Sequence, residues 1–248
     1  MGAKTALLAF VEGDIRSALR GATRSERVEA EVLVRQIHPG CAVTPADDGT
    51  LLDDTYPPDD ITYATRVGGV ELYCDRRFML DRPSELPAHL RQAGAGRRIV
   101  LHGMHSVVDW LGFAVWVDGV LERSLSLSPD GGIRENIGEP YDFELPYWAG
   151  EHPVEVLPGG PYPLPFHPLE LGEEALRALF GFVIEGRPDP TDIDAEAVYL
   201  HGFQVTDASG EEQAAPAAQL AAALRTMGPP RRLRMGSDGT LREADLGE

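Results

Sequence analysis

The chain has 248 residues, of which 43% are apolar and 25% charged, a balance that supports a buried core and argues against disorder. Its 40 acidic residues outnumber 22 basic ones, and the formal net charge of −18 disfavours nucleic acid and anionic membrane while leaving a protein partner open. Two cysteines, Cys41 and Cys74, no secretory-type N-terminus and no apolar run of membrane-spanning length predict a soluble, cytoplasmic protein with reduced thiols.

Lys4–Val11 is a compact apolar run that predicts a buried strand. Asp14 can cap a short helix over 15–20. A second helix is expected over 25–37, with Ser25 as N-cap, Val28, Val32 and Leu33 at helical spacing, and His38-Pro39-Gly40 as its stop. An acidic, proline-bearing loop follows over 44–60. Then 61–67 and 70–74 flank Gly68-Gly69, the signature of a two-residue hairpin. Residues 82–92 predict a helix with Pro83 in its first turn, and 99–101 open another strand.

The central section predicts an antiparallel meander: 111–117, a turn at Asp118-Gly119, 120–128, a turn at 129–132, and 133–136. Within it Ser124, Ser126 and Ser128 alternate with Leu125 and Leu127, so the serines share one face. The expected role of that face is a solvated outer surface; a polar ligand surface is the alternative.

Residues 140–168 carry eight prolines among Tyr141, Phe143, Tyr147, Trp148, Tyr162 and Phe166. Proline removes donors and fixes φ, so this stretch is expected to be an extended strap laid over the sheet rather than regular helix or central strand. A helix over 172–185 and a strand over 198–205 complete a main domain of residues 1–205. Residues 206–248 are expected to form a small appendage, a helix around 217–227 followed by a hairpin. The fold class is therefore α+β: a mostly antiparallel sheet with a central meander, flanked by three or four helices.

Five segments carry a family resemblance: GAKTALL at 2–8, LHGMHSVVDW at 101–110, RSLSLSPD at 123–130, WAGEHPV at 148–154 and PLPFHPLELG at 163–172. Together they resemble an uncharacterised actinobacterial family of unknown function over residues 2–205. That resemblance implies no activity and assigns no catalytic residue.

His102, His105 and Asp109 form H-x-x-H-x-x-x-D, which on a helix would present three ligands for zinc or another divalent metal. A strand entering at 99–101 instead puts the two histidines on opposite faces. Ser106, His105 and Asp109 are the residue types of a hydrolytic triad, but they are immediate neighbours, and Cys74 beside His102 would need the fold to join them. Three acidic pairs, Asp47-Asp48, Asp53-Asp54 and Asp59-Asp60, are expected to be a solvated loop. Dinucleotide, phosphate-loop and C-x-x-C motifs are lacking, and a single lysine, Lys4, disfavours Schiff-base chemistry. The leading expectation is a non-catalytic interaction or regulatory protein without a cofactor. The alternatives are a metal-dependent hydrolase using His102, His105 and Asp109, and a small-molecule binder using Ser124, Ser126, Ser128, Tyr147, Trp148, His152 and His167.

Overall fold

The structure is a computed structural model that describes residues 2–154 and 161–207, together with the backbone of 233–235 and 241–243. The chain divides into two compact units, Met1–Thr206 and Asp207–Glu248. Within the first, the described residues form a ten-stranded, wholly antiparallel sheet.

In chain order its strands are β1 (Lys4–Val11), β2 (Ala42–Pro45), β3 (Gly49–Thr50), β4 (Ile61–Val67), β5 (Val70–Cys74), β6 (Arg98–His105), β7 (Trp110–Val117), β8 (Val120–Ser128), β9 (Gly132–Ile137) and β10 (Tyr199–Thr206). Five helices accompany them among the described residues: α1 (Ile15–Arg20), α2 (Arg27–Ile37), α3 (Ala88–Ala93), α4 (Leu145–Trp148) and α5 (Pro168–Phe180). The spatial order is β2-β10-β4-β5-β1-β6-β7-β8-β9, with β3 also pairing β10. Sheet dominates over helix.

Both faces of the sheet are covered, which is why β1, β6 and β7 read as nearly unbroken apolar runs instead of alternating ones. Leu7, Ala9, Val100, Met104, Leu111 and Phe113 pack under α5. Leu8, Phe10, Ile99, Leu101, Ala114 and Trp116 pack under α2 and α3. Single-residue alternation along each strand divides the two cores.

The hairpins follow their turn chemistry. Gly68 has φ 54°, and Asp118 and Gly119 have φ 51° and 79°, the left-handed pair that a two-residue turn between twisted strands requires. Gly112 has a different reason. The Trp110 indole lies against Gly103 and Gly112, where an added Cβ would come within 2.9 and 2.5 Å of the ring.

Four expectations need correction. The segment over 82–92 is not one helix: a 3-10 turn at Pro83–Glu85 gives way to α3, because Pro87 cannot continue a helix and holds Leu86 extended. In α2 the buried stripe is Ala30, Leu33, Val34 and Ile37, while Val28 and Val32 face solvent at 67% and 59% exposure. Ser25 is not its cap; Glu26 occupies that place and Ser25 Oγ meets Thr65 Oγ1. Finally, α5 starts four residues before 172, with Pro168 at its first position and His167 as cap. It stops at Gly181 (φ 90°), whose N–H donates to Arg177 and Leu176 carbonyls.

In the second unit, Leu233–Met235 pairs antiparallel with Leu241–Glu243. The expected helix around 217–227 lies outside the described residues.

The described residues of the strap, 140–154 and 161–168, follow turns and bends around α4, a single helical turn, rather than the extended course expected. The strap is fastened to the sheet by Arg123 on β8 and Glu144, both with fully buried side chains. Arg123 Nε and Nη2 donate to the two Glu144 carboxylate oxygens at 2.9 and 2.6 Å. Its Nη1 donates to Asn136 Oδ1 and the Ile137 carbonyl, while Glu144 also accepts from Tyr141 N and Trp148 Nε1. Every polar atom of the pair is thereby occupied, which is the condition for a buried ion pair to be tolerated.

Candidate functional site

The residues singled out for chemistry are mostly consumed inside the fold. His102 lies on β6 beneath α5, with no solvent exposure. Its Nε2–H donates to the Gly172 carbonyl at 3.0 Å, so Nδ1 is the acceptor and takes the Thr5 hydroxyl at 2.8 Å. His105 pairs with Lys4 in the β1–β6 register, on the opposite face of the sheet. Asp109 sits in the β6–β7 turn with φ 45° and approaches His167 instead. The strand reading of H-x-x-H-x-x-x-D holds, and its three side chains are not brought together. Among the described residues no group of three or more His, Cys, Asp or Glu side chains could hold a metal ion.

Burial pushes the His102 pKa down from 6.5 to about 4, more than its bond to Gly172 raises it. The unfolded chain therefore takes up a proton between those values and the folded one does not. Stability from this group is complete above pH 6.5 and falls away as pH drops towards about 4, by on the order of 3 kcal/mol. The expected result is that stability measured by urea melts declines more steeply over this range in wild type than in His102→Gln. Parallel profiles would refute a neutral, buried His102.

Cys74 and His102 both pair with Leu7, from its two sides, which puts them about 10 Å apart at two strand spacings. Cys74 is fully buried, and burial first, then Asp54 and Asp75, raise its thiol pKa well above the ordinary value. It is a core residue.

The serine row is buried, not solvated. Ser124 and Ser126 are fully covered and Ser128 is 8% exposed. They lie under the Pro83–Glu85 turn: Glu135 on β9 accepts from the Ser124 hydroxyl and from Ser84 Oγ and N, and Trp110 Nε1 donates to Ser126 Oγ. Ser128 Oγ accepts Gly131 N–H. Burial opposes ionisation of Glu135, but the Ser124 and Ser84 bonds outweigh it and lower its pKa. Period-two spacing identified a common face correctly; it could not show that the other side of the sheet was covered as well.

The acidic loop is likewise not simply solvated. Asp48 accepts from Arg27, Arg24, Tyr199, His201 and Gly202 N, and its pKa is lowered despite partial burial. Asp59 pairs with Arg76, and Asp54 accepts Thr50 N–H. The pairs do not converge. Nearby, the buried Asp75 is held by His38 Nε2 at 2.9 Å, Thr62 and Arg77.

A cleft of about 530 Å³ lies between the strap and the first half of α5. Tyr147, His152 and His167, three of the expected ligand-face residues, line it; Trp148 does not, its indole packing edge-on against Phe166 at 4.9 Å. Tyr147 is nearly buried, donates to the Glu170 carbonyl, and carries the His152 ring stacked on it at 4.1 Å. Burial, with Glu174 and Glu170 beyond it, raises the Tyr147 pKa, so the phenol stays protonated. His167 Nδ1 accepts Leu169 N–H as the α5 cap, which places the proton on Nε2, 3.7 Å from Asp109 Oδ2.

The other wall is mostly acidic. Glu170, Glu173, Glu174 and Glu185 line it with Arg187. Glu173 is committed to Ile184 N and Glu185 N, and Glu174 to Arg177. Glu170 and Glu185 are exposed and have no ion-pair partner among the described residues. The signal was present: Glu170, Glu173 and Glu174 share one helix face directly after His167.

The chain matches the family of unknown function DUF6928 over residues 5–203, nearly the whole first unit, and belongs to that family. No curated protein and no solved structure matches the chain. No helix among the described residues is long and apolar enough to cross a membrane.

Proposed function

We propose that the protein is a non-catalytic binding protein with an interaction or regulatory role, and that its cleft receives a cationic group of the partner. The observation that carries this reading is the pair Glu170 and Glu185, uncompensated carboxylates beside two accessible imidazoles on a preformed wall. A net charge of −18 steers cations towards such a site. The polar groups deeper in the fold point the same way, since His102, Asp75, Glu135 and Glu144 each spend their hydrogen bonds on structure and leave none poised for a substrate.

The cleft volume also lies within the roughly 300–1,000 Å³ of small-molecule sites, which supports a free polyamine as a second reading. Titration with spermidine and with an Arg/Lys-rich peptide separates the two. The expected result is saturable binding that weakens with salt and falls about tenfold in Glu170→Gln/Glu185→Gln, two exposed charged contacts being worth roughly 0.2–1 kcal/mol each. Equal affinity in wild type and the double variant would end the proposal.

A further inference from the structure

Lys4, the only lysine of the chain, has no carboxylate within ion-pair reach among the described residues, in a sequence that holds 40 acidic side chains. Its Nζ instead lies 5.5 Å from the centre of the Tyr56 ring. The Arg76 guanidinium sits over the same ring at 4.4 Å, and the His105 imidazole meets it edge-on at 5.5 Å. Three groups able to carry positive charge thus surround one aromatic side chain. Lys4 and His105 are direct neighbours across the β1–β6 ladder, so their proximity is set by register and not by loop position.

We propose that Lys4, Arg76 and His105 form a binding site for a small oxyanion, a phosphate or a carboxylate, seated beside the Tyr56 ring. Each group arrives prepared. Arg76 is oriented by its Nε bond to the Pro57 carbonyl at 3.0 Å and by Asp59 at 2.8 Å. Asp59 is 82% exposed, so solvent screens much of its charge. His105 Nδ1 accepts the Val107 N–H, which puts its proton on Nε2, a donor with no acceptor among the described residues. Burial, Lys4 and, more weakly, Arg76 hold the His105 pKa below its ordinary value. An oxyanion would take charge-assisted bonds from Lys4 and Arg76 and a bond from the neutral His105 Nε2–H, and its charge would offset the repulsion that Lys4 and Arg76 exert on that imidazole.

The site uses the α2 side of the sheet and none of the cleft's residues, so it stands or falls apart from the function proposed above. The experiment is a titration with inorganic phosphate, and separately with acetate, at constant ionic strength and neutral pH, followed at the Val107 and Ser106 amides by NMR. The expected result is a saturable response that weakens about tenfold in Lys4→Gln, survives in Lys4→Arg, and is unchanged in Glu170→Gln/Glu185→Gln. Saturation by phosphate alone assigns the site to phosphate groups, and saturation by acetate as well assigns it to carboxylates. A linear, non-saturating response, or a Lys4→Gln protein that folds normally and binds as wild type does, would overturn it.

Discussion

Arg123→Ala is expected to cost about 3–5 kcal/mol, the usual penalty for breaking a buried ion pair and leaving its partner charge uncompensated. In a chain of this length that corresponds to a melting midpoint lowered by roughly 6–20 °C. The reason is specific to the site. Glu144 would keep its bonds from Tyr141 N and Trp148 Nε1 but lose the guanidinium that neutralises it, inside a region with no solvent access. The companion variant Arg123→Met/Glu144→Leu removes both charges and is expected to recover most of the loss, because well-packed apolar replacements of buried pairs are often neutral. A double variant as unstable as the single one would show that the carbonyl bonds of Arg123, to Ile137 and Gly138, matter more than its charge.

The second large effect is expected at Phe166, not at Trp148. Phe166 is fully buried between the Tyr147 and Trp148 rings, with centroids at 5.5 and 4.9 Å, and beneath it lies the α5-side core. Phe166→Ala is expected to destabilise by about 3–5 kcal/mol, the range for deleting a buried aromatic ring. Trp148 is only partly buried, so Trp148→Ala is expected to cost about 1–3 kcal/mol through lost area and the lost bond to Glu144. Denaturant melts of the two variants decide the order. A larger loss at Trp148 would mean that the indole, and not Phe166, closes the strap over the sheet.

The strap illustrates what a sequence conveys and what it withholds. Eight prolines among six aromatics predict a packed segment without long helix or central strand because both constraints are local: proline restricts φ, and rings need cover. The Gly68-Gly69 and Asp118-Gly119 hairpins were legible for the same reason. The turns and bends taken by the strap's described residues, in place of an extended course, were not legible. Which carboxylate anchors the segment was not legible, since Arg123 and Glu144 meet only after β8 and the strap cross. Burial on both sides of the sheet hid the serine row under the Pro83–Glu85 turn. On α2, valines occur on both faces, so spacing alone did not separate the exposed Val28 and Val32 from the inner stripe of Ala30, Leu33, Val34 and Ile37. Of the site, Tyr147, His152 and His167 were named from the sequence because aromatics and imidazoles stand out. The glutamates do not stand out in the sequence, because acidic residues are common everywhere in this chain.

The position of β10 has a consequence for biosynthesis. β4 has β5 as its hydrogen-bonded neighbour on one flank, but its other flank is filled by a strand encoded roughly 130 residues later. A ribosome adds about 5–20 residues per second, so the β4 flank of a nascent chain is exposed for on the order of ten seconds before Tyr199–Thr206 emerges. An uncapped strand edge is a template for pairing with other chains. Ribosome-bound chains stalled before residue 199 are therefore the form of this protein most prone to co-translational aggregation and most in need of a chaperone.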